Sequence, residues 1–418
     1  MVVLKTLNSS PLRWAALLSM LALAACDDGH HHYYCVNCGS NSNYPASEVS
    51  LGLVAGNFTN NGHTSLVATS TVLYNSQVNA GNLKAYLSSG IGTFAAPVLI
   101  ADGDDPIYLA SADLNGDHLP DVVSASYSDG SLSVFFNSAQ SPGTFSTPLV
   151  LSSPGASQVA IADMNGDGLP DLVSADYNVS LFLQTSPGAY ATPISLYSGG
   201  ANWVAVGDLN GDGSPDVALT DNVGVKVLMH TGAASATSFA APVAVFTQTA
   251  NVNAVGANLI AIADVNGDGL NDLVITDPGA SGGAAPTVSV LLQNPASHGT
   301  FLAPVSYPIA PGSQATSIVV TDVNGDNHPD IVIGGSNAVT VLLQNPASPG
   351  TFAAATNYTV TNANQIAIAD VNGDGHLDIV VGTGVTHTME NNVASNNPGV
   401  LLQSATSPGT FGALQDLP

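Results

Sequence analysis

Basic residues are almost absent from this sequence. Only four of its 418 residues are Lys or Arg, against 30 Asp and Glu, and the formal net charge at pH 7 is −26. Proteins that bind nucleic acid neutralise its phosphates with Lys and Arg. The composition therefore argues against nucleic acid as a partner, and it leaves few groups that could stabilise an anionic transition state.

Cysteines and long apolar runs are also scarce. The three cysteines, Cys26, Cys35 and Cys38, lie near the N-terminus, so no disulfide can cross-link the rest of the chain. The apolar run at residues 14–25 is shorter than the roughly 20 residues that a membrane-spanning helix needs. No segment shows helical periodicity over three turns, which argues against a helical fold.

Residues 1–25 are typical of a bacterial lipoprotein signal peptide. Lys5 and Arg13 come before or at the start of the apolar run, and the small residues before Cys26 resemble a lipobox. We expect cleavage before Cys26 and lipidation of its thiol. The chain would then be exported and held in the cell envelope, at the outer membrane or cell surface or on the periplasmic side of the inner membrane, with the lipid anchor as its only membrane contact. An ordinary signal peptide cut nearby is the alternative.

Residues 26–46 are polar and irregular, and we interpret them as a flexible tether. They contain three consecutive histidines, His30, His31 and His32, and a Cys-x-x-Cys motif formed by Cys35 and Cys38. Zn²⁺ or Cu²⁺ binding, a local disulfide and a biased linker sequence all remain open for this segment.

An acidic nine-residue pattern occurs six times in the remainder of the chain. Each copy has Asp at positions 1, 5 and 9 and Asn at position 3, and the backbone carbonyl at position 7 would add a further oxygen. The predicted metal-binding residues are Asp113, Asn115, Asp117, Leu119 and Asp121; Asp163, Asn165, Asp167, Leu169 and Asp171; Asp208, Asn210, Asp212, Ser214 and Asp216; Asp264, Asn266, Asp268, Leu270 and Asp272; Asp322, Asn324, Asp326, His328 and Asp330; and Asp370, Asn372, Asp374, His376 and Asp378.

This donor set predicts Ca²⁺, up to six ions in a structural role. Several hard oxygen ligands in one tight loop suit Ca²⁺, and three bare carboxylates so close together would repel one another. A set of Asx-turns without metal is the alternative. The pattern is not an EF-hand, because position 12 is never Glu and the flanks are β-rich. A seventh copy, beginning at Asn57, has lost its carboxylates and is expected to bind no metal.

The acidic loops are embedded in seven longer units. Loop starts are 45 to 58 residues apart, and each unit contains four short β-rich runs separated by turn residues. This period predicts an all-β, seven-bladed β-propeller with four-stranded blades. The propeller would occupy residues 47–418 and be monomeric, with units near 47–102, 103–153, 154–199, 200–248, 249–310, 311–361 and 362–418.

These units resemble FG-GAP, or VCBS-type, repeats. The resemblance rests on Asp-x-Asn-Gly-Asp-Gly-x-x-Asp, which is complete in the loops that begin at Asp163, Asp208, Asp264 and Asp370. Such repeats form the blades of the integrin α-subunit propeller and of many bacterial surface proteins, so the resemblance implies a calcium-binding propeller. His118 and Asn327 replace Gly at position 6, where a left-handed backbone is expected.

No catalytic constellation is found in the sequence. Gly279-Ala-Ser281-Gly-Gly283 fits the G-x-S-x-G pattern, but it lies between two strand-like runs instead of between a strand and a helix. We therefore expect a protein that is not an enzyme.

Recognition is the favoured function. The face opposite the acidic loops is expected to carry the candidate ligand-binding residues Tyr127, Asp176, Tyr177, Trp203, Asp221 and Asp277, as well as irregular insertions at 71–82, 277–287 and 382–399. The alternative for the aspartates is that each caps the turn after its strand. We expect an envelope-anchored binding or adhesion module for a protein or glycan. A carbohydrate-active enzyme and a structural subunit of an envelope assembly are the other classes.

Overall fold

The predicted architecture is confirmed: the chain forms an all-β ring of seven four-stranded blades. The computed structural model describes residues 24–25, 34–35, 47–49, 51–74, 77–103, 106–221, 223–232, 238–247, 259–278, 285–383 and 398–417. Every regular element in these ranges is a strand. No helix in the described ranges has the length and apolarity needed to cross a membrane.

The first strand of each blade is innermost, because first strands of neighbouring blades contact one another around the ring. These strands are Leu53–Gly56, Pro106–Ala112, Gln158–Ala162, Trp203–Gly207, Ile260–Ala263, Ala315–Thr321 and Ala363–Ala369. The second strands are Ser65–Tyr74, Asp121–Ser126, Asp171–Ala175, Asp216–Thr220, Asp272–Asp277, Asp330–Gly335 and Asp378–Thr383.

The outer half of each blade follows in chain order, and all neighbouring strands within a blade are antiparallel. The third strands are Gln77–Tyr86, Ser131–Phe135, Val179–Phe182, Gly224–Leu228, Thr287–Leu291, Ala338–Leu342 and Gly399–Leu401. The fourth strands are Val98–Gly103, Leu149–Ser152, Ile194–Tyr197, Val243–Thr247, Val305–Pro308, Thr356–Thr359 and Gln415–Asp416.

A few short strands lie outside this scheme. Ser47–Val49 pairs with the far end of the second strand of blade 1. Two small hairpins, Ser88–Gly90 with Thr93–Phe94 and Gln184–Ser186 with Ala189–Tyr190, lie between third and fourth strands. Ala24–Ala25 pairs with Tyr34–Cys35.

The sequence pattern of a turn followed by an aromatic residue, as in Ser348-Pro-Gly-Thr-Phe352, predicts that the aromatic residue begins each fourth strand. That prediction is wrong, because in the structure the aromatic residue precedes the fourth strand. Phe145, Phe239, Phe301, Phe352 and Phe411 each form an isolated bridge with the second residue after the third strand. The chain turns back at this bridge before the fourth strand starts. Phe352 packs edge-on against Tyr307 of the preceding blade, and Phe411 packs in the same way against Tyr358.

Apolar side chains between blades form the core. Second and third strands are almost wholly buried, because both of their faces lie against neighbouring blades, whereas fourth strands alternate between exposed and half-buried residues. Among the described strands, the ring closes by contact between blades 7 and 1 and not by a shared strand. At this seam the Gln365 side chain accepts a hydrogen bond from Leu53 N at 2.9 Å and donates one to Leu109 O at 2.9 Å.

Candidate metal loops and ligand surface

The six acidic loops connect first to second strands, and all six have the same internal hydrogen bonds. In the loop that begins at Asp163, Oδ1 of that residue accepts from Gly166 N at 2.7 Å and Asp167 N at 3.1 Å, and Oδ2 accepts from Gly168 N at 2.7 Å. The same pattern recurs in the other five loops. Position 1 therefore organises the turn through both carboxylate oxygens.

Positions 3 and 5 each accept a backbone hydrogen bond from the residue two further on. Asn165 Oδ1 accepts from Asp167 N, and Asp167 Oδ1 accepts from Leu169 N, both at 2.8 Å. All six loops share these two bonds. The predicted position-7 residues thus present their N–H groups to the position-5 carboxylates.

The position-9 aspartates are fully buried beneath the loops. Asp171, for example, accepts from Met164 N at 2.9 Å and from Gln184 N at 2.7 Å, so it joins its own loop to the end of the third strand. Burial raises the pKa of Asp171 to about 6, and the nearby charges of Asp167 and Asp163 add to that rise. The pKa values of Asp121, Asp216, Asp272 and Asp330 are raised to about 6 for the same reasons.

Position 6 has a left-handed backbone, as expected from the sequence. Gly168 has φ +86°, and the two substituted positions, His118 and Asn327, have φ +68° and +65°. Because a β-carbon is strained in this region, Gly is the favoured residue there.

The uncharged copy in blade 1 keeps the same scaffold with neutral groups. Asn57 Oδ1 accepts from Asn61 N at 3.0 Å, and Asn61 Oδ1 accepts from His63 N at 2.9 Å. Ser65 stands where the other loops have the buried aspartate, and its hydroxyl accepts from Ser88 N at 2.9 Å. The turn can therefore be held together without a single carboxylate.

The loops supply only oxygen donors, and the acids of each loop are near enough for positions 1 and 5 to raise the pKa of position 9. Within the described ranges, no three His, Cys, Asp or Glu side chains are gathered in the geometry of a metal centre. The donor chemistry fits a hard cation, with the carboxylates turned toward backbone N–H groups of their own loop.

Four side-chain amides tie neighbouring loops together, and the sequence assigned them no role. Asn137, Gln184, Gln344 and Gln403 follow their third strands, and we call them the bridging amides. Each donates to the position-2 carbonyl of the preceding blade's loop and to the position-8 carbonyl of its own blade's loop. The Leu-Gln pair that follows the third strand in three of these four blades was the available signal, but the partners of the amide are distant in sequence.

Trp203 does not belong to an exposed ligand surface, which corrects its assignment. It is 8% exposed and packs edge-on against Tyr108, with ring centroids 5.3 Å apart. These rings come from the first strands of blades 4 and 2 and meet at the centre of the ring. The position at the start of an innermost strand buries the indole.

Two of the candidate aspartates are engaged in capping, the alternative that the sequence left open. Asp176 is 5% exposed and accepts from Asn178 N and from the hydroxyls of Ser153, Ser174 and Ser180. Burial raises the pKa of Asp176, and these hydrogen bonds oppose the rise.

Asp221 caps the next turn in the same way. It accepts from Val223 N at 2.8 Å and Gly224 N at 3.1 Å, and it pairs with Lys226. Burial opposes ionisation, but the hydrogen bonds from Lys226 and the backbone lower the pKa of Asp221. Asp277 is half-buried at the end of its strand.

Tyr127 and Tyr177 meet on the surface opposite the acidic loops. They lie in the turns after the second strands of blades 2 and 3, their hydroxyls are 2.9 Å apart and their ring centroids are 6.4 Å apart. Tyr177 is 54% exposed. A β-carbon on Gly155 would lie 3.0 Å from the Tyr177 ring, so this glycine lets the ring approach the backbone closely. We call these two residues the tyrosine pair.

Several predicted features lie outside the described residues. They are Cys26, Cys38, His30, His31, His32 and Ser281, most of the signal peptide and tether, and the middle parts of the insertions, at 75–76, 279–284 and 384–397.

The ring of seven blades with repeated acidic loops defines a β-propeller built from sequence repeats. The chain belongs to the FG-GAP-like repeat family, whose sequence model matches residues 113–174, 163–219, 264–333 and 322–381, together more than half of the chain. No curated protein sequence matches it significantly.

Two solved structures show a distant likeness in shape. One is BBS1N in complex with ARL6DN, with 12% identity and a TM-score of 0.49 over 82% of this chain and 91% of that one. The other is the biofilm matrix protein Bap1 of V. cholerae, with 13% identity and a TM-score of 0.43 over 87% of this chain and 88% of that one. These likenesses carry no information on function.

Proposed function

We propose that this protein is a calcium-stabilised binding or adhesion propeller, held in the cell envelope by a lipid on Cys26, that recognises a protein or glycan. The observation that supports calcium binding is the contrast between the loop of blade 1 and the other six loops. Neutral side chains suffice to close the blade 1 turn, yet the other loops contain eighteen of the 30 acidic residues. Replacing Cys26 by Ser should move the chain from the membrane fraction to the soluble fraction.

The extra carboxylates have a cost that a cation would offset. Position 9 is buried in each loop, and the charges at positions 1 and 5 oppose its ionisation. Ca²⁺ takes six to eight oxygen ligands, including carboxylate, amide and backbone oxygens, and the side chains at positions 1, 3, 5 and 9 would hold it here. A cation bound only by the folded form stabilises it by about 2.7 kcal/mol per site at a hundredfold excess over Kd.

Calcium content and thermal unfolding test this role one loop at a time. Asp167→Asn keeps an oxygen that can accept from Leu169 N but removes the charge, so it should bind one calcium fewer than the unaltered chain and melt lower in millimolar Ca²⁺. The matched control is Asn61→Ser in the uncharged loop of blade 1, which should leave calcium content unchanged. Equal calcium content in Asp167→Asn and the unaltered chain would contradict the assignment.

The tyrosine pair is the proposed contact surface. The acidic-loop face is occupied by turns between third and fourth strands that pack on neighbouring loops: His298 Nδ1 lies 3.2 Å from Asn210 O, and Gly188 N donates to Leu114 O at 3.1 Å. On the opposite face the tyrosine pair offers two adjacent aromatic rings, and such rings with polar tips contribute strongly to recognition.

A screen of the purified chain against a glycan array and against envelope proteins, with Ca²⁺ present, tests the binding role. For any ligand found, Tyr127→Ala with Tyr177→Ala should weaken binding by roughly 1 kcal/mol or more. His118→Asn, on the acidic-loop face, is the control and should bind normally. Undiminished binding by the tyrosine variant and weakened binding by His118→Asn would place the contact on the acidic-loop face instead.

A further inference from the structure

Asp102 is a buried carboxylate with unsatisfied oxygens. It is 3% exposed, near the end of the fourth strand of blade 1, where that blade meets blade 2. Among the described residues, neither of its oxygens has a partner at hydrogen-bond distance and angle. Burial raises the pKa of Asp102, and the nearby hydroxyls of Ser124 and Ser133 oppose the rise. Native proteins seldom leave such a group without a donor, a water or an ion.

The surface that Asp102 faces is lined with serine hydroxyls. Ser124 and Ser126, on the second strand of blade 2, are both fully buried, and their hydroxyl oxygens also have no partner in the described structure. Ser133 is paired opposite Ser124 on the third strand. Val122 and Phe135 share this face of the sheet and pack into the core of blade 1. The hydroxyls therefore line the junction between blades 1 and 2.

At the junction between blades 2 and 3, a similar group of one aspartate and three serines is fully hydrogen-bonded. There the Ser153 hydroxyl donates to Asp176 Oδ2 at 2.8 Å and lies 2.9 Å from the Ser174 hydroxyl. Ser174 and Ser180 also donate to the same oxygen, at 3.2 and 3.3 Å. One carboxylate and three serines close on one another and leave no need for a ligand.

The two junctions exchange the places of acid and hydroxyl. Asp176 lies five residues after the position-9 aspartate of blade 3, and the corresponding residue of blade 2 is Ser126. Ser153 follows the fourth strand of blade 2, and Asp102 lies at the end of the fourth strand of blade 1. After this exchange the carboxylate of Asp102 and the hydroxyls of Ser124 and Ser126 have no hydrogen-bond partner in the part of the chain that the structure describes.

A second carboxylate lies beside the unsatisfied group. Asp129, in the turn after the second strand of blade 2, raises the pKa of Asp102 through its charge. A β-carbon on Gly103 would lie 2.6 Å from Asp129 Oδ2, so this carboxylate lies against the residue that follows Asp102. No cationic side chain is among the groups that shift Asp102.

We propose that the junction of blades 1 and 2 binds a divalent hard cation of the Ca²⁺ class, held by Asp102 and the hydroxyls of Ser124, Ser126 and Ser133, with Asp129 at its outer side. Carboxylate and hydroxyl oxygens are the hard ligands that such a cation prefers. The site is separate from the six acidic loops and does not depend on their binding metal.

Calcium content after equilibrium dialysis is the test, with the unaltered chain compared with Asp102→Asn and Asp176→Asn. Asp102→Asn should hold one calcium fewer than the unaltered chain. Asp176→Asn is the matched control, because its carboxylate already has hydroxyl partners, and its calcium content should not change. The double variant Asp102→Ser with Ser126→Asp copies the satisfied junction, so it should fold and also hold one calcium fewer.

Melting temperatures give a second reading. In metal-free buffer Asp102→Asn should melt higher than the unaltered chain, because it removes a buried charge, and in saturating Ca²⁺ the order should reverse. Equal calcium content in Asp102→Asn and the unaltered chain, with no reversal of their melting order, would overturn the proposed metal site. Asp102 would then be protonated or bound to a water. If the six acidic loops do not bind calcium, the calcium content should instead be low in all of these proteins, including the unaltered chain.

Discussion

At some positions in this protein the backbone conformation limits which residue type fits as strongly as the side-chain chemistry does. Position 6 of the acidic loops is left-handed whether it holds Gly168, His118 or Asn327. Asn tolerates this region better than His, and Gly tolerates it without strain. The His118 side chain is 96% exposed and lies 3.8 Å from Asp113, a screened contact that adds little. The loop that begins at Asp113 is therefore more strained at this position than the loop with Asn327 and the four loops with Gly.

Replacing His118 by Gly should stabilise the chain by about 0.5 to 1 kcal/mol, because relief of the left-handed strain exceeds the extra flexibility of glycine in the unfolded state. Chemical denaturation in saturating Ca²⁺ measures the effect. Asn327→Gly is the comparison and should gain less. A larger gain for Asn327→Gly than for His118→Gly would show that backbone strain is not the cause.

At the scale of elements, side-chain hydrogen bonds connect neighbouring blades at the acidic loops. The bridging amides connect position 2 of one loop to position 8 of the next, and the position-9 carboxylates fix the backbone from which the amides project. Metal binding in a loop would thus stabilise two blades at once. Tyr307 and Tyr358 reinforce the junctions by accepting from Phe352 N and Phe411 N.

Gln403→Ala should therefore be costly. Gln403 is 6% exposed, donates to Val323 O at 2.7 Å and Leu377 O at 2.6 Å, and accepts from Gly409 N at 3.0 Å. Removing it leaves buried backbone groups unsatisfied and should lower the free energy of unfolding by roughly 2 to 4 kcal/mol. The exposed Gln140→Ala is the control, expected within about 0.5 kcal/mol of the unaltered chain. Equal midpoints of chemical denaturation for the two variants would contradict this role.

At the scale of the whole molecule, the main electrostatic feature is the negative charge of the acidic loops on one face of the ring. All six acidic loops connect first to second strands and so lie at the same end of the ring. Burial raises the pKa of Asp121, Asp171, Asp216, Asp272 and Asp330 from the ordinary 3.8 to about 6 in the metal-free protein. The folded form therefore binds more protons than the unfolded form between about pH 6 and pH 4.

The metal-free chain should accordingly gain stability as the pH falls from 7 toward 5, since stability rises where the folded state binds the extra protons. With saturating Ca²⁺ the trend should be the opposite, because protons compete with the metal for the same carboxylates. Melting temperatures at three pH values, with and without Ca²⁺, measure both slopes. Parallel slopes in the two series would rule out metal binding at these aspartates.

The sequence by itself determined the fold and the acidic loops. Repeats of 45 to 58 residues with four apolar runs leave few architectures other than a propeller, and the spacing of Asp163, Asn165, Asp167 and Asp171 fixes their turn locally. The left-handed position 6 followed from the same local pattern. Such features depend on neighbours in the chain, so they can be read along it.

Only the tertiary structure decided which side chains meet across blades. It buried Trp203 against Tyr108, turned Asp176 and Asp221 into caps, brought Tyr127 to Tyr177 and connected successive loops through the bridging amides. It also left Asp102 unsatisfied where Asp176 is satisfied. The physical reason is that the partners lie on different blades, 50 positions apart for Tyr127 and Tyr177 and 70 for Gln184 and Leu114, so their geometry exists only once the blades are packed into a ring.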